Sequence, residues 1–209
     1  MLKEVKKRTQ ILQDRMQQAG IRKAVFTDES SMAYLAGFWG YLGIEFGRPS
    51  MLVVHADEAP VVITPLMESE MVAAMTWVED VRTWEDFGSN SWQNVLEATI
   101  GSNPARVGVE LNLMPAIVRN WMDAALENVS ITDIAPMLGQ MRMIKSPEEI
   151  KVMKQAGAIA GDMMVAAEGA LTTGVPEYEA ALAVINAGTR KAAGFLTDKG
   201  WEAFVSPMI

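Results

Sequence analysis

Side chains able to do chemistry are few in this chain and lie far apart. Histidine occurs once, at His55, and cysteine not at all, so disulfides and thiolate metal sites are excluded. A metal at His55 would need carboxylates alone as partners, and an exposed or hydrogen-bonded histidine is the plainer reading. Glu110 closes the compact run Arg106-Val107-Gly108-Val109-Glu110; it either points into a site at a strand end or caps the loop that follows. From Tyr34 to Gly43 the chain reads Tyr-Leu-Ala-Gly-Phe-Trp-Gly-Tyr-Leu-Gly. Its glycines follow G-x-x-G-x-x-G rather than the G-x-G-x-x-G of a dinucleotide loop, and no strand–helix context surrounds them, which excludes that chemistry. Two readings of the segment stand. The rings of Tyr34, Phe38, Trp39 and Tyr41 are offered to a ligand or partner, or they fold back into the core.

Composition narrows the function classes further. With 26 acidic and 18 basic side chains among 209 residues, the net charge is −8, and no basic face is available for phosphate, so nucleic acid is not an expected partner. The cluster Lys3, Lys6, Lys7 and Arg8 is interleaved with apolar residues at helical spacing and reads as a solvated helix face. No apolar run approaches the ~18 residues that span a bilayer, and the charged N-terminus lacks a signal-peptide core. The expectation is a cytoplasmic protein with no membrane contact.

These residues must be positioned by a strand–helix alternation. Residues 2–19 carry a helical apolar stripe that ends at Gly20. Arg22 to Thr27 reads as a buried strand, and the polar Asp28-Glu29-Ser30-Ser31 can cap a short helix beyond it. Ser50–His55 and Val61–Thr64 form a hairpin around Ala56-Asp57-Glu58-Ala59-Pro60. Met67, Met71, Ala74 and Met75 recur at helical spacing between Leu66 and Trp77, a stripe expected to pack in the core. A strand at Glu79–Trp84, a helix at Trp92–Ile100, the Arg106–Glu110 strand, a helix from Pro115, a strand at Val129–Ile131 and a helical turn at Ile134–Leu138 follow. About six strands and five helices make one α/β domain, a mixed β-sheet flanked by helices.

The pattern changes at Gln140–Ile150. Ser146, Pro147 and Glu149 form a capping box with proline at the first helical position, and only long helices come after. Ile150, Met153, Gly157, Ala160, Met164, Ala167 and Leu171 define one continuous stripe. A second helix from Pro176 carries Tyr178, Leu182, Ile185 and Thr189 along one side, and a strand begins near Phe204. Roughly sixty residues are too few to bury two apolar helical faces alone, and a single strand has nowhere to pair. The chain is expected to be truncated or completed by a second chain, and a homodimer is expected.

Arg142-x-Ile144-Lys145-Ser146-x-x-Glu149-Ile150, followed by Met153, Ala156 and Ile159, resembles the domain junction of creatinase, prolidase and aminopeptidase P relatives. Tyr34-Leu35-Ala36-Gly37-Phe38 is similar to their Tyr-Leu-Thr-Gly-Phe stretch, with Ala36 for threonine, and Val107-Gly108-Val109-Glu110 to their Ile-Gly-Val-Glu strand. The resemblance runs through the whole chain. It implies a creatinase/prolidase N-terminal-like α/β domain at 1–139. Residues 140–209 would be the junction, two helices and the first strand of an incomplete pita-bread α+β domain.

In peptidase members of that family two divalent metals (Mn, Zn or Co) are held by aspartates, glutamates and a histidine further downstream. Creatinase-like members use a histidine instead. The resemblance therefore implies no catalytic residue and no metal ligand in this chain, which is expected to be inactive alone. Its intact parent would be a hydrolase of a C–N bond, in an Xaa-Pro peptide or a small amide-like compound. Family members form dimers in which an N-terminal loop closes the partner's active site. That implies a substrate-closing role for Tyr34, Phe38, Trp39 and Tyr41, with Arg48 as a carboxylate-binding cation. Asn186–Lys191 and Val205–Ile209 faintly resemble ectoine-hydrolase-type relatives. The competing expectation is a non-enzymatic homodimeric binding or assembly module.

Overall fold

A computed structural model describes residues 2–38, 47–101, 106–126 and 129–196. The chain divides into two compact units, Met1–Met143 and Ile144–Ile209. The expected boundary after residue 139 falls inside a helix, because the turn foreseen at Ile134–Leu138 continues to Met143 and buries Leu138 and Met141. The strand expected near Phe204 lies outside the described residues.

Unit 1 is a six-stranded mixed sheet with helices on both faces, as its strand–helix alternation requires. In chain order its elements are α1 (Leu2–Gln18), β1 (Lys23–Phe26), α2 (Glu29–Ala36), β2 (Met51–His55), β3 (Val61–Pro65), α3 (Ser69–Met75), β4 (Asp80–Trp84), α4 (Trp92–Ile100), β5 (Arg106–Val109), α5 (Ala116–Ala125), β6 (Ser130–Asp133) and α6 (Ala135–Met143). The strand order is β4-β3-β2-β1-β5-β6. β1 pairs antiparallel with β2 and parallel with β5, while β3–β4 and β5–β6 are also parallel. Successive strand residues face opposite sides, so the strands build two cores. Ala24, Phe26, Leu52, Val54 and Val62 pack beneath α1, α2 and α6. Val25, Met51, Val53, Ile63, Val107 and Val109 pack beneath α4 and α5.

Local chemistry sets the element ends. Asp28 caps α2 by accepting from the Ser31 amide at 2.9 Å. On α1, the Gln13 amide donates to the carbonyls of His55 (2.7 Å) and Glu58 (2.8 Å), and Gln17 donates to Ala56 O (2.6 Å), which staples the hairpin turn to the helix. The expected long helix from Leu66 is instead a single 3₁₀ turn, Leu66–Glu68, followed by the two-turn α3. Its methionine stripe is core only in part: Met75 packs against the core, Met67 and Met71 are exposed, and Val72 is the buried residue of α3. Such a short helix turns only one side chain fully inward, and Thr76 ends it by donating to Ala36 O at 2.7 Å.

Unit 2 is a pair of helices, α7 (Pro147–Ala170) and α8 (Glu177–Leu196). The capping box forms as expected: Ser146 Oγ accepts from the Glu149 amide (3.3 Å), and Glu149 Oε2 accepts from the Ser146 amide (2.8 Å). The apolar faces stay largely uncovered, as expected for so short a segment: Ile150, Met153, Met164, Leu171, Tyr178 and Leu182 are all exposed. The helices meet where the Met163 side chain packs on the backbone at Gly188; a Cβ there would lie 2.7 Å from Met163 Sδ. The missing side chain at Gly188 makes room for the methionine. No described helix is long and apolar enough to cross a membrane.

Gly108 sits opposite Ala24 in the β1–β5 pair, and these two small residues make room for the start of α6. A Cβ at Gly108 would fall 2.9 Å from Ile134 Cδ1 and 3.2 Å from Ile134 Cβ. Gly108→Ala should therefore destabilise unit 1 by about 1–3 kcal/mol through overpacking. The expected reading is a lower urea midpoint at unchanged slope; an unshifted midpoint would refute the close packing.

Candidate functional site

In this topology the carboxyl ends of β1, β3, β4, β5 and β6 lie at one edge of the sheet, together with the start of β2. The helix after β1 packs on one face and the helix after β5 on the other. β1 and β5 therefore bound a topological switch point, where open α/β sheets leave a crevice. The polar groups of the unit gather along this rim.

Glu110 stands at the switch point, one residue beyond β5. Its backbone carbonyl accepts from the amides of Leu113 (3.0 Å) and Met114 (2.9 Å), while its side chain turns inward and is 5% exposed. Oε1 accepts from Ser31 Oγ at 3.0 Å, and Oε2 has no partner among the described residues. Burial holds the carboxyl above the ordinary glutamate value; the neighbouring charges of Asp28 and Asp133 add to this, and the Ser31 hydrogen bond and Arg142 oppose it. The loop-capping reading is met by the backbone carbonyl of Glu110, while its side chain turns inward to Ser31. A second buried acid, Glu68, accepts through Oε2 from Ser50 Oγ (3.1 Å) and Thr64 Oγ1 (3.4 Å).

Further along the rim the residues leading into β2 are fastened to the end of β4. Trp84 Nε1 donates to Pro49 O at 3.2 Å. Arg48 donates to Asp86 Oδ2 from Nε (2.8 Å) and from Nη2 (2.5 Å). Both side chains of this pair are partly solvent-exposed. The guanidinium edge that carries Nη1 has no partner among the described residues, and a planar fork of this kind suits a carboxylate.

The expected aromatic residues serve other ends. Phe38 is fully buried in the core beneath α1 and α2. The Tyr34 ring carries two guanidiniums, Arg8 at 4.4 Å and Arg142 at 5.5 Å from its centroid, and its hydroxyl donates to Met141 O at 3.4 Å. It ties α1, α2 and α6 together. Trp39 and Tyr41 lie outside the described residues. Sequence reading missed Asp86 and Phe87; the signal was a turn-forming run, Glu85-Asp86-Phe87-Gly88-Ser89-Asn90, with a ring where turns are normally polar.

His55 sits at the opposite end of the sheet, paired in register with Lys23. It is buried rather than exposed, with Nδ1 3.6 Å from Glu58 Oε2 and Nε2 unpartnered. Burial, then Lys23, keep its pKa below the ordinary value. Lys23 is spent on the C-terminus of α4, donating to the Thr99 and Ile100 carbonyls. Among the described residues no group of three or more histidine, aspartate or glutamate side chains could hold a metal ion, so their donor set does not fit a metal centre.

Comparison with known proteins agrees with this architecture. The Creatinase/Prolidase N-terminal domain model matches residues 8–144. A creatinase from Bacillus sp. (strain B-0618) is 29% identical over 193 residues, covering 91% of this chain and 46% of the relative. The prolidase of Thermococcus sibiricus superposes with a TM-score of 0.74 at 19% identity, over 91% of this chain and 50% of that one. The Creatinase/Prolidase N-terminal domain of an X-Pro dipeptidase from Streptococcus pyogenes superposes with a TM-score of 0.55 at 18% identity, over 64% of this chain and 98% of that one. The chain spans about half the length of the curated relatives that it matches across 91% of its own.

Because the folded-state pKa of Glu110 is raised, the stability its neutral form contributes is complete below pH 4.5 and is lost as pH rises through the raised value. Glu110→Gln, which stays neutral, should gain on the parent chain in melting temperature as pH rises from 4 to 8. A constant difference across that range would mean that Glu110 does not titrate in the buried site.

Proposed function

Because the chain belongs to the Creatinase/Prolidase N-terminal domain family, we propose that it is the N-terminal part of a cytoplasmic, homodimeric hydrolase. The bond cleaved is a C–N bond, in an Xaa-Pro dipeptide or a small amide-like compound; matched relatives carry the names creatinase and Xaa-Pro dipeptidase. Unit 1 closes the substrate site, and the groups that cleave the bond belong to the remainder of the parent: divalent metals (Mn, Zn or Co) or a histidine acid/base.

Arg48 is the observation that carries this reading. It is a partly exposed cation on the strand-end rim, fastened by Asp86 and by the neighbouring Trp84–Pro49 hydrogen bond, with one edge of its fork unpaired among the described residues. An Xaa-Pro dipeptide or a creatine-like compound offers a carboxylate for that edge. Trp39 and Tyr41 remain the candidate rings for closure, since Tyr34 and Phe38 are engaged within unit 1.

The product of the uninterrupted reading frame should hydrolyse Xaa-Pro dipeptides or creatine-like compounds. Arg48→Ala should lower its kcat/KM roughly 10- to 100-fold, the loss of a charge-assisted hydrogen bond. The 209-residue chain alone should give no turnover with added manganese or zinc. Turnover by this chain, or an Arg48→Ala enzyme of full activity, would overturn the reading.

The exposed apolar side chains of α7 and α8 support association. Light scattering of the 209-residue chain should give a dimer at micromolar concentration, and a monomer throughout would sink that part. The same exposure favours the second reading, a non-enzymatic homodimeric assembly module. An uninterrupted product that dimerises but hydrolyses none of these compounds would support it instead.

A further inference from the structure

We infer that Phe87 is the apolar half of the site whose cationic half is Arg48, so that the ligand is a carboxylic acid with an apolar group directly beside its carboxylate. The inference rests on the reading of Arg48 as the carboxylate-binding cation.

Phe87 combines two unusual properties. Its ring is fully exposed to solvent, and its backbone, at φ 63°, is the only non-glycine among the described residues with positive φ. A left-handed conformation at a bulky residue is strained. Gly88 follows immediately and would take that conformation without strain. An isolated exposed hydrophobic residue needs no explanation, but one held in strain and making no core contact points to a use outside the fold.

The turn that carries the ring is rigidly built. Glu85 N donates to Asn90 O at 3.0 Å, Asn90 Nδ2 to Thr83 O at 2.7 Å, and Asn94 Nδ2 to Ser89 O at 2.7 Å. Asp86, the residue before the ring, is the partner of Arg48. Through Asp86, Arg48 is therefore tied to the turn that carries the ring. Asp86 also neutralises much of the Arg48 charge, and an exposed, half-neutralised cation attracts a carboxylate weakly. Contact with the ring is what would raise affinity and choose among carboxylates.

The test follows the Arg48 Nε–H resonance of the ¹⁵N-labelled 209-residue chain during titration with sodium acetate and with sodium cyclopentanecarboxylate. Cyclopentanecarboxylate should bind roughly fivefold more tightly, the yield of about 40 Å² of apolar contact. Phe87→Asn, which tolerates the left-handed backbone, should bring the two acids level and leave acetate unchanged; Phe87→Tyr should keep the preference. Phe87→Gly should lose the preference while raising Tm by about 2–4 °C through release of strain. If acetate does not move the Arg48 resonance, the Arg48 reading fails and this proposal falls with it. If acetate binds but the two acids are level in the parent chain, or the preference survives in Phe87→Asn, the role of Phe87 is overturned while Arg48 stands. A lower Tm for Phe87→Gly would also overturn it, since the ring would then be serving stability.

Discussion

Everything in unit 1 depends on how β1 is enclosed. Its two edges are hydrogen-bonded in opposite senses, antiparallel to β2 and parallel to β5, and its two faces belong to different cores. A strand in that position must be apolar along its length. Ala24-Val25-Phe26 meets that demand, and only the terminal Lys23 is charged. Between its ends β1 can therefore hold no reactive group. Polar chemistry is pushed to the strand ends, and there the two ends differ.

One end holds His55 and Lys23, and Lys23, with Arg82 reaching over from the middle of β4, donates to groups of Thr99 and Ile100 in the last turn of α4. Cations at a helix C-terminus complement its dipole, so these two cations are accounted for by the fold. The other end is rich in acids: Asp28, Glu68, Asp86, Glu110 and Asp133. Three of them are tied to local partners, as caps of α2 and α6 or as the anchor of Arg48. Glu68 is satisfied by Ser50 and Thr64. Glu110 Oε2 is buried without a partner among the described residues, a cost of about 1–3 kcal/mol, and His55 Nε2 stands in the same position at the other end. Arg48 and Phe87 stand at the acidic end.

Much of the fold was legible because period and punctuation agreed. Alternation in Ser50–His55 and Val61–Thr64 around Pro60 could only be a hairpin, and Ser146-Pro147-Glu148-Glu149 could only start a helix. Less legible was which face an apolar helix presents. In α7 small and large apolar residues occur nearly all round, so several stripes fit the 3.6 period, and the contact at Gly188 that chose among them lies on another helix. The methionines near Leu66 misled for a related reason: periodicity shows that residues share a side, not that the side is covered. For Tyr34 and Phe38 the sequence left a ligand-facing and a core reading open, because ring density was visible while Arg8 and Arg142, 26 and 108 residues distant from Tyr34 along the chain, were not visibly its neighbours. Arg48 could be singled out only by resemblance. Phe87 escaped because strain belongs to backbone angles, which composition does not carry.

The strand order also has a consequence in time. Only β2 and β3 pair across a short connection; β1 meets β2 about thirty residues on, and its parallel partner β5 more than eighty residues on. At synthesis rates of about 5–20 residues per second, that second edge stays open for on the order of 4–16 seconds after β1 emerges. During that interval Ala24-Val25-Phe26 is a bare apolar edge, the kind of template on which strands of other chains add. The hairpin and α1 are complete earlier; β2 closes the other edge and α1 covers one face, but neither reaches that edge. The enclosure that makes β1 the firmest element of the finished fold makes it the most exposed one while the chain is being made.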